Sequence, residues 1–143
     1  LGPFLDNDLD THLAVVAVLL VEVGGERYAL PIASVEQTLE VGAREVQQSQ
    51  GREVLSLEDG LVPLLPLAAL LGLPAPAPGP GPRVVVLCEM RQRLAGLVVD
   101  RLIGYREVVV KAPDKALRGV RGLAGVTVLG DGSPVLILDL NTL

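Results

Sequence analysis

Apolar positions in this chain fall into short runs cut by glycine, proline and acidic turns, and no run keeps the 3.6-residue period of an amphipathic helix for long. Val18–Val23, the pair Gly24-Gly25 and then Glu26–Leu30 read as a hairpin, because two glycines can supply the positive backbone angles of a two-residue turn. Pro31 ends that pair. From Val35 to Val41 the alternation is partial, which predicts a short helical turn leading into a strand. Glu53–Leu57 and Leu61–Leu65 flank Glu58-Asp59-Gly60 as a second strand pair, with Pro63 expected on an edge or at a bulge for want of an N–H. Leu67–Leu71 is made of good helix formers and stops at Gly72, with Pro74 beyond, so one short helix is expected.

Residues 74–82, Pro-Ala-Pro-Ala-Pro-Gly-Pro-Gly-Pro, cannot support a hydrogen-bond ladder and read as an extended connector. Five further strands are predicted after it, over 83–88, 93–99, 106–111, 123–129 and 134–139, with turn signals at Gly104 and at Gly130-Asp131-Gly132. Many short strands with little helix make the chain mainly β. Closing the strands into small barrels would remove exposed edges.

Size and composition narrow the classes. A length of 143 residues suits one domain, or two small lobes on one core. Half the residues are apolar but only Phe4, Tyr28 and Tyr105 are aromatic, so the core must be aliphatic. A formal charge of −5 without a Lys/Arg cluster argues against a nucleic-acid surface. The longest apolar run, Leu13–Val21, is nine residues and too short to span a bilayer, so no membrane insertion is expected. Residues 1–12 read as a tail or linker ahead of one domain over 13–143, and the absence of an initial Met suggests a piece of a longer protein.

Candidate chemistry is sparse. A Ser-His-acid arrangement would need His12, the sole histidine, which precedes every predicted element. With one His and one Cys there is no metal-ligand set, and no cofactor is expected. Cys88 reads as a small buried hydrophobe. Gly119-Val120-Arg121-Gly122 and Gly130-Asp131-Gly132 lack the lysine and the strand-to-helix setting of a phosphate loop. Asp100 closes an apolar strand without a reacting partner and reads as a carboxylate accepting turn amide protons.

Taken in order, Leu20-Val21-Glu22-Val23-Gly24-Gly25-Glu26-Arg27-Tyr28-Ala29-Leu30-Pro31-Ile32, then Val62-Pro63-Leu64 and Gly96-Leu97-Val98-Val99-Asp100, resemble the CheW-like domain of bacterial chemotaxis over nearly the whole of Leu13–Leu143. That family comprises free adaptors and the C-terminal regulatory domain of CheA-type histidine kinases. Two stretches are similar to the kinase domain rather than to the adaptor. These are Leu13–Val21, and Val109-Val110-Lys111 followed by Gly125–Gly132. The free-standing adaptor remains the alternative.

The resemblance implies two intertwined SH3-like five-stranded barrel lobes on a shared hydrophobic core, with short helices. It implies a non-catalytic, cytoplasmic protein–protein interaction domain that couples a histidine kinase to an adaptor and to the cytoplasmic tip of chemoreceptors in membrane-anchored arrays. Under that reading the parent protein is a histidine kinase, its catalytic domains lie upstream, and its ATP-binding domain is a further partner. An aliphatic edge of one lobe, with Val41 and Val46, is a candidate contact with the adaptor. Lys111 and Arg118 are candidate polar contributors in the second lobe. Many members carry Arg-Gly at the turn before the Val-Pro strand, where this chain has Glu58-Asp59, and adaptors often have Asp where it has Pro66, so polar contacts there are not carried over.

Overall fold

The structure is a computed structural model and describes residues 13–58, 60–74, 81–111 and 120–143, with only the backbone described for Leu13 and Lys111. Eleven strands and one short helix are present among these residues. They are β1 (Leu13–Val23), β2 (Glu26–Pro31), β3 (Val35–Val41), β4 (Val46–Ser49), β5 (Arg52–Leu57), β6 (Gly60–Pro66), α1 (Leu67–Leu70), β7 (Arg83–Met90), β8 (Arg93–Val99), β9 (Arg101–Lys111), β10 (Leu123–Val128) and β11 (Pro134–Leu138). Single 3-10 turns occupy Ile32–Ser34 and Ala43–Glu45. The tail at 1–12 and most of the connector, residues 75–80, lie outside the described residues. No described helix is long and apolar enough to cross a membrane.

The strands form two sheets. One closes as a barrel in the order β1-β2-β11-β10-β9, and the other has six strands in the order β3-β7-β8-β6-β5-β4. The chain therefore leaves the barrel after β2, builds the whole second lobe, and returns through β9. The six-stranded sheet curls strongly. Arg83 at the start of β7 makes a two-pronged ion pair with Glu53 on β5, at 2.8 and 3.0 Å, although two strands lie between them in the sheet. That hydrogen bonding holds the Glu53 carboxyl below its ordinary range and raises the Arg83 guanidinium.

Local chemistry explains the elements. Gly24 and Gly25 both take positive φ, 61° and 82°, as the hairpin turn between β1 and β2 requires. The helix ends with Gly72 N–H donating to Ala69 O and Leu73 N–H donating to Ala68 O, the paired bonds of a glycine-stopped helix. Pro63 sits in an interior strand rather than on an edge, but one residue before the stretch of β6 that pairs with β8, so no bond on that side is lost. Gly104 marks a bulge rather than a turn. Leu20 faces Gly104 and Val21 faces Leu102, leaving Ile103 as the extra residue, and Gly104 carries the bulge at φ 145°. Strand β9 consequently starts at Arg101, five residues before the sequence pattern suggests.

Three apolar clusters result. Val18, Leu20, Ala29, Val108, Val135 and Ile137 fill the barrel. Val41, Leu55, Val62, Leu64, Val85 and Leu87 fill the curled sheet. Between them Val21, Val23 and Leu30 from the barrel meet Leu67, Val86, Cys88, Leu97 and Val99 from the other lobe. Strands β7 and β8 are thus buried on both faces, which is why they read as near-continuous apolar runs. Each fully buried aliphatic side chain there contributes roughly 1.5–3 kcal/mol of transfer free energy.

Gly96 is the most closely packed described glycine of the second lobe. A Cβ at that position would lie 2.8 Å from Leu64 Cδ2 and 2.9 Å from Val85 Cγ1, both in the packed interior. Gly96→Ala is therefore expected to lower stability by about 1–3 kcal/mol, as overpacking does. Urea denaturation followed by circular dichroism reads this, and an unchanged midpoint would show that the interior relaxes freely around an added methyl.

Candidate docking surface

The barrel strands alternate in a way that the core alone does not explain. On β1, Val16, Val18 and Leu20 point inward. The opposite face carries Val15, Ala17, Leu19, Val21 and Val23, again nearly all apolar. Val21 and Val23 are covered by the second lobe, with Leu19 packed against the same cluster, but Val15 at the far end of the strand is 71% exposed.

Strand register extends that bare end across the barrel. Val15 stands opposite Val109 on β9, which is 55% exposed. On β10, Val126 stands opposite Leu136 of β11, and Val128 opposite Pro134. Val128 is 64% exposed, and Leu136 is also open to solvent. The intervening positions, Thr127 with Val135 and Gly125 with Ile137, are buried inside the barrel. Thr127 satisfies its hydroxyl by donating to Val109 O at 2.7 Å. Val15, Val109, Val128 and Leu136 therefore form an aliphatic stripe on the outer barrel face, crossing β1, β9, β10 and β11.

Beside the stripe the barrel is thinly closed. β9 and β10 pair in register only at Lys111 and Val126. A shallow groove of about 450 Å³ opens along this seam, lined by Arg27, Arg106, Glu107, Val109, Val128 and Asp131 among others. Asp131 is held rigid at its rim. Ser133 N–H donates to its Oδ1 at 2.9 Å and Arg27 Nη2 donates to its Oδ2 at 3.0 Å. These two donors, Ser133 foremost, hold the carboxyl down to about 2.

The residues singled out from sequence fare unequally. Val41 is 1% exposed inside the curled sheet, so its side chain is committed to packing and offers no surface to a partner. Val46 is half-buried against the same cluster. Lys111 lies on β9, which pairs with β1, and so belongs to the barrel that begins the chain rather than to a separate C-terminal lobe. Arg118 lies outside the described residues. Asp100 does accept a turn amide proton, from Gly24 N–H to Oδ2 at 2.8 Å, and its own N–H donates to Glu22 O. Cys88 is buried in the shared core, where desolvation pushes its thiol up to about 12. The stripe itself was missed from sequence. Its only signal is that outward positions such as Val15 and Val109 are as apolar as their inward neighbours.

Asp131 supplies a pH test of the rim. Because its folded pKa is depressed, its contribution to stability is present above its ordinary value near ~3.9 and is lost as pH falls through about 2. Arg27→Ala should move the carboxyl upward, though not to the ordinary value, since the Ser133 bond remains. Carboxyl-detected NMR titration reads this, and an unmoved titration would show that Arg27 does not engage Asp131 in solution.

Comparison with known proteins adds the following. Residues 17–143 match the CheW-like domain family. The chain is 36% identical over 131 residues to the sensor histidine kinase CheAY of Helicobacter pylori, covering 92% of this chain and 16% of that protein. It is 36% identical over 142 residues to the chemotaxis protein CheA of Halobacterium salinarum, covering 99% of this chain and 21% of that one. The chain thus spans only about a fifth of the length of these relatives. The fold is similar to that of the scaffolding protein TtCheW of Thermoanaerobacter tengcongensis, with a TM-score of 0.71, 16% identity, and 90% and 91% of the two chains covered.

Proposed function

This chain belongs to the CheW-like domain family, and from that premise we propose that it is the docking domain of a chemotaxis histidine kinase, a non-catalytic module that couples the kinase to an adaptor and to chemoreceptor tips. The observation that carries the reading is the aliphatic stripe of Val15, Val109, Val128 and Leu136. Four aliphatic side chains held open on one barrel face are expensive to leave in water and suit the apolar centre of a protein interface. The similarity to CheA proteins over a fifth of their length supports a kinase segment rather than a free adaptor.

In this reading the stripe receives the adaptor, and Lys111, whose backbone is in register with Leu13 and Val126 at the stripe's border, adds a polar contact. Val46 and Arg118 are secondary positions for partner contact. The domain works in the cytoplasm beside receptor arrays, and its upstream neighbour is the ATP-binding domain. Coupling then requires that adaptor and receptor bind two arrangements of the kinase with different affinity, since a partner shifts an equilibrium only by its differential binding.

The test is calorimetry of the chain against the adaptor and a receptor cytoplasmic fragment from the same organism. Saturable adaptor binding is expected. Val109→Asp with Val128→Asp should weaken it roughly tenfold or more, as loss of central interface residues does. The thermal midpoint should hardly change, since exposed substitutions usually stay within about 0.5 kcal/mol. Full adaptor affinity in the double variant would move the interface elsewhere, and no binding by a folded wild-type chain would overturn the reading.

A further inference from the structure

The face of the six-stranded sheet that supplies the shared core continues past the barrel and is left uncovered at its outer end. On that face Leu97, Val86 and Cys88 are buried by the other lobe. Register carries the same face outward through Ala95 to Arg93 and Met90, and across β6 to Pro63 and Leu61. Among the described residues, Leu70 of α1 and Leu143 of the C-terminal segment line this end from outside the sheet, and the groove has a volume of about 830 Å³. Leu61 in its wall is 56% exposed, while Pro63, Leu65, Met90 and Leu143 are half-buried.

The charge of this groove is opposite to that of the chain. The protein carries −5, yet Arg52, Arg91 and Arg93 line the groove, and no Asp or Glu side chain is among its described lining residues. Arg91 is also held in place. Its N–H donates to Asn141 Oδ1 at 3.0 Å and its Nε donates to Asn141 O at 3.1 Å. The Arg91-Gln92 turn takes positive φ at both non-glycine positions, 52° and 68°, and the guanidinium is held at the rim by its bonds to the Asn141 and Leu143 carbonyls. Arg52 and Arg93 are exposed. An apolar floor with a one-sign rim selects a ligand of matching pattern. The volume is of the order of two turns of a helix about 10 Å across and rising about 5.4 Å per turn.

We propose that this groove is a second docking site, distinct from the barrel stripe, and that it takes an acidic amphipathic helix of a partner protein, with the aliphatic face on Leu61, Pro63 and Met90 and the carboxylates toward Arg52 and Arg93. The site lies in the lobe opposite the stripe, so both are open to occupation at once. It does not depend on the adaptor assignment. Recognition of this type lays an apolar helix face into a groove and takes its selectivity from the flanking charges.

The probe is a 16-residue helical peptide with Leu at i, i+3, i+4, i+7 and so on and Glu at the remaining positions, compared with a peptide in which Lys replaces every Glu. Fluorescence anisotropy against the whole chain should show saturable binding of the Glu peptide, at least about tenfold tighter than the Lys peptide, and weakening as salt rises. Arg52→Glu with Arg93→Glu should remove most of that preference, and Leu61→Asp should weaken binding of the Glu peptide. All three positions are exposed, so thermal midpoints should match the wild type, and adaptor affinity measured in parallel should be unaffected. Equal affinity for the two peptides, no binding of either, or undiminished binding by the Arg52→Glu/Arg93→Glu chain overturns the proposal. Loss of adaptor affinity in the same variant would show instead that the groove and the stripe are one interface.

Discussion

Two sheets that share one apolar layer cannot be arranged independently, and that constraint organises this molecule. Leu97 and Val86 of the second lobe pack into the same cluster as Val21, Val23 and Leu30 of the barrel, so each lobe supplies a wall of the other's core. Chain path reinforces the packing, because the barrel is completed only after the whole second lobe has been built. At the return crossing Asp100 ties the lobes by accepting from Gly24 N–H and donating its own N–H to Glu22 O. Arg101, the first residue of β9, adds an ion pair to Glu22 at 2.8 Å. A perturbation of the shared layer is therefore felt by both lobes.

The same layer decides where the molecule is left open. It covers the outward face of β1 at Leu19, Val21 and Val23 but not at Val15, and covers the core-side face of β7 and β8 at Cys88 and Leu97, only partly at Met90 and not at Arg93. Both proposed docking surfaces are thus uncovered ends of faces whose other ends are core. The two differ in chemistry. The barrel stripe is aliphatic, with a neutralised Arg27–Asp131 pair near it, whereas the groove has an apolar floor and an arginine rim.

Much of the architecture was legible from residues alone. Gly24-Gly25, Gly60 and Gly132 announce their turns because few residues other than glycine tolerate their positive φ, and the short helix announces its end at Gly72. Asp100 was readable as a turn acceptor because an isolated carboxylate after an apolar strand needs donors nearby. Gly104 was misread as a turn because glycine serves turns and bulges alike, and only the pairing of Leu20 and Val21 across from it distinguishes them. Pro63 likewise depended on where pairing with β8 begins.

Local stereochemistry and the alternation of apolar positions were determined by the sequence itself, and with them the mainly β class. Tertiary structure decided which apolar residues are spent. Val41 and Val109 are the same side chain in similar strand settings, yet one is closed inside the curled sheet and the other lies open on the barrel. Burial depends on what arrives from distant parts of the chain to cover a face, and no local pattern encodes which end of β1 the second lobe will reach.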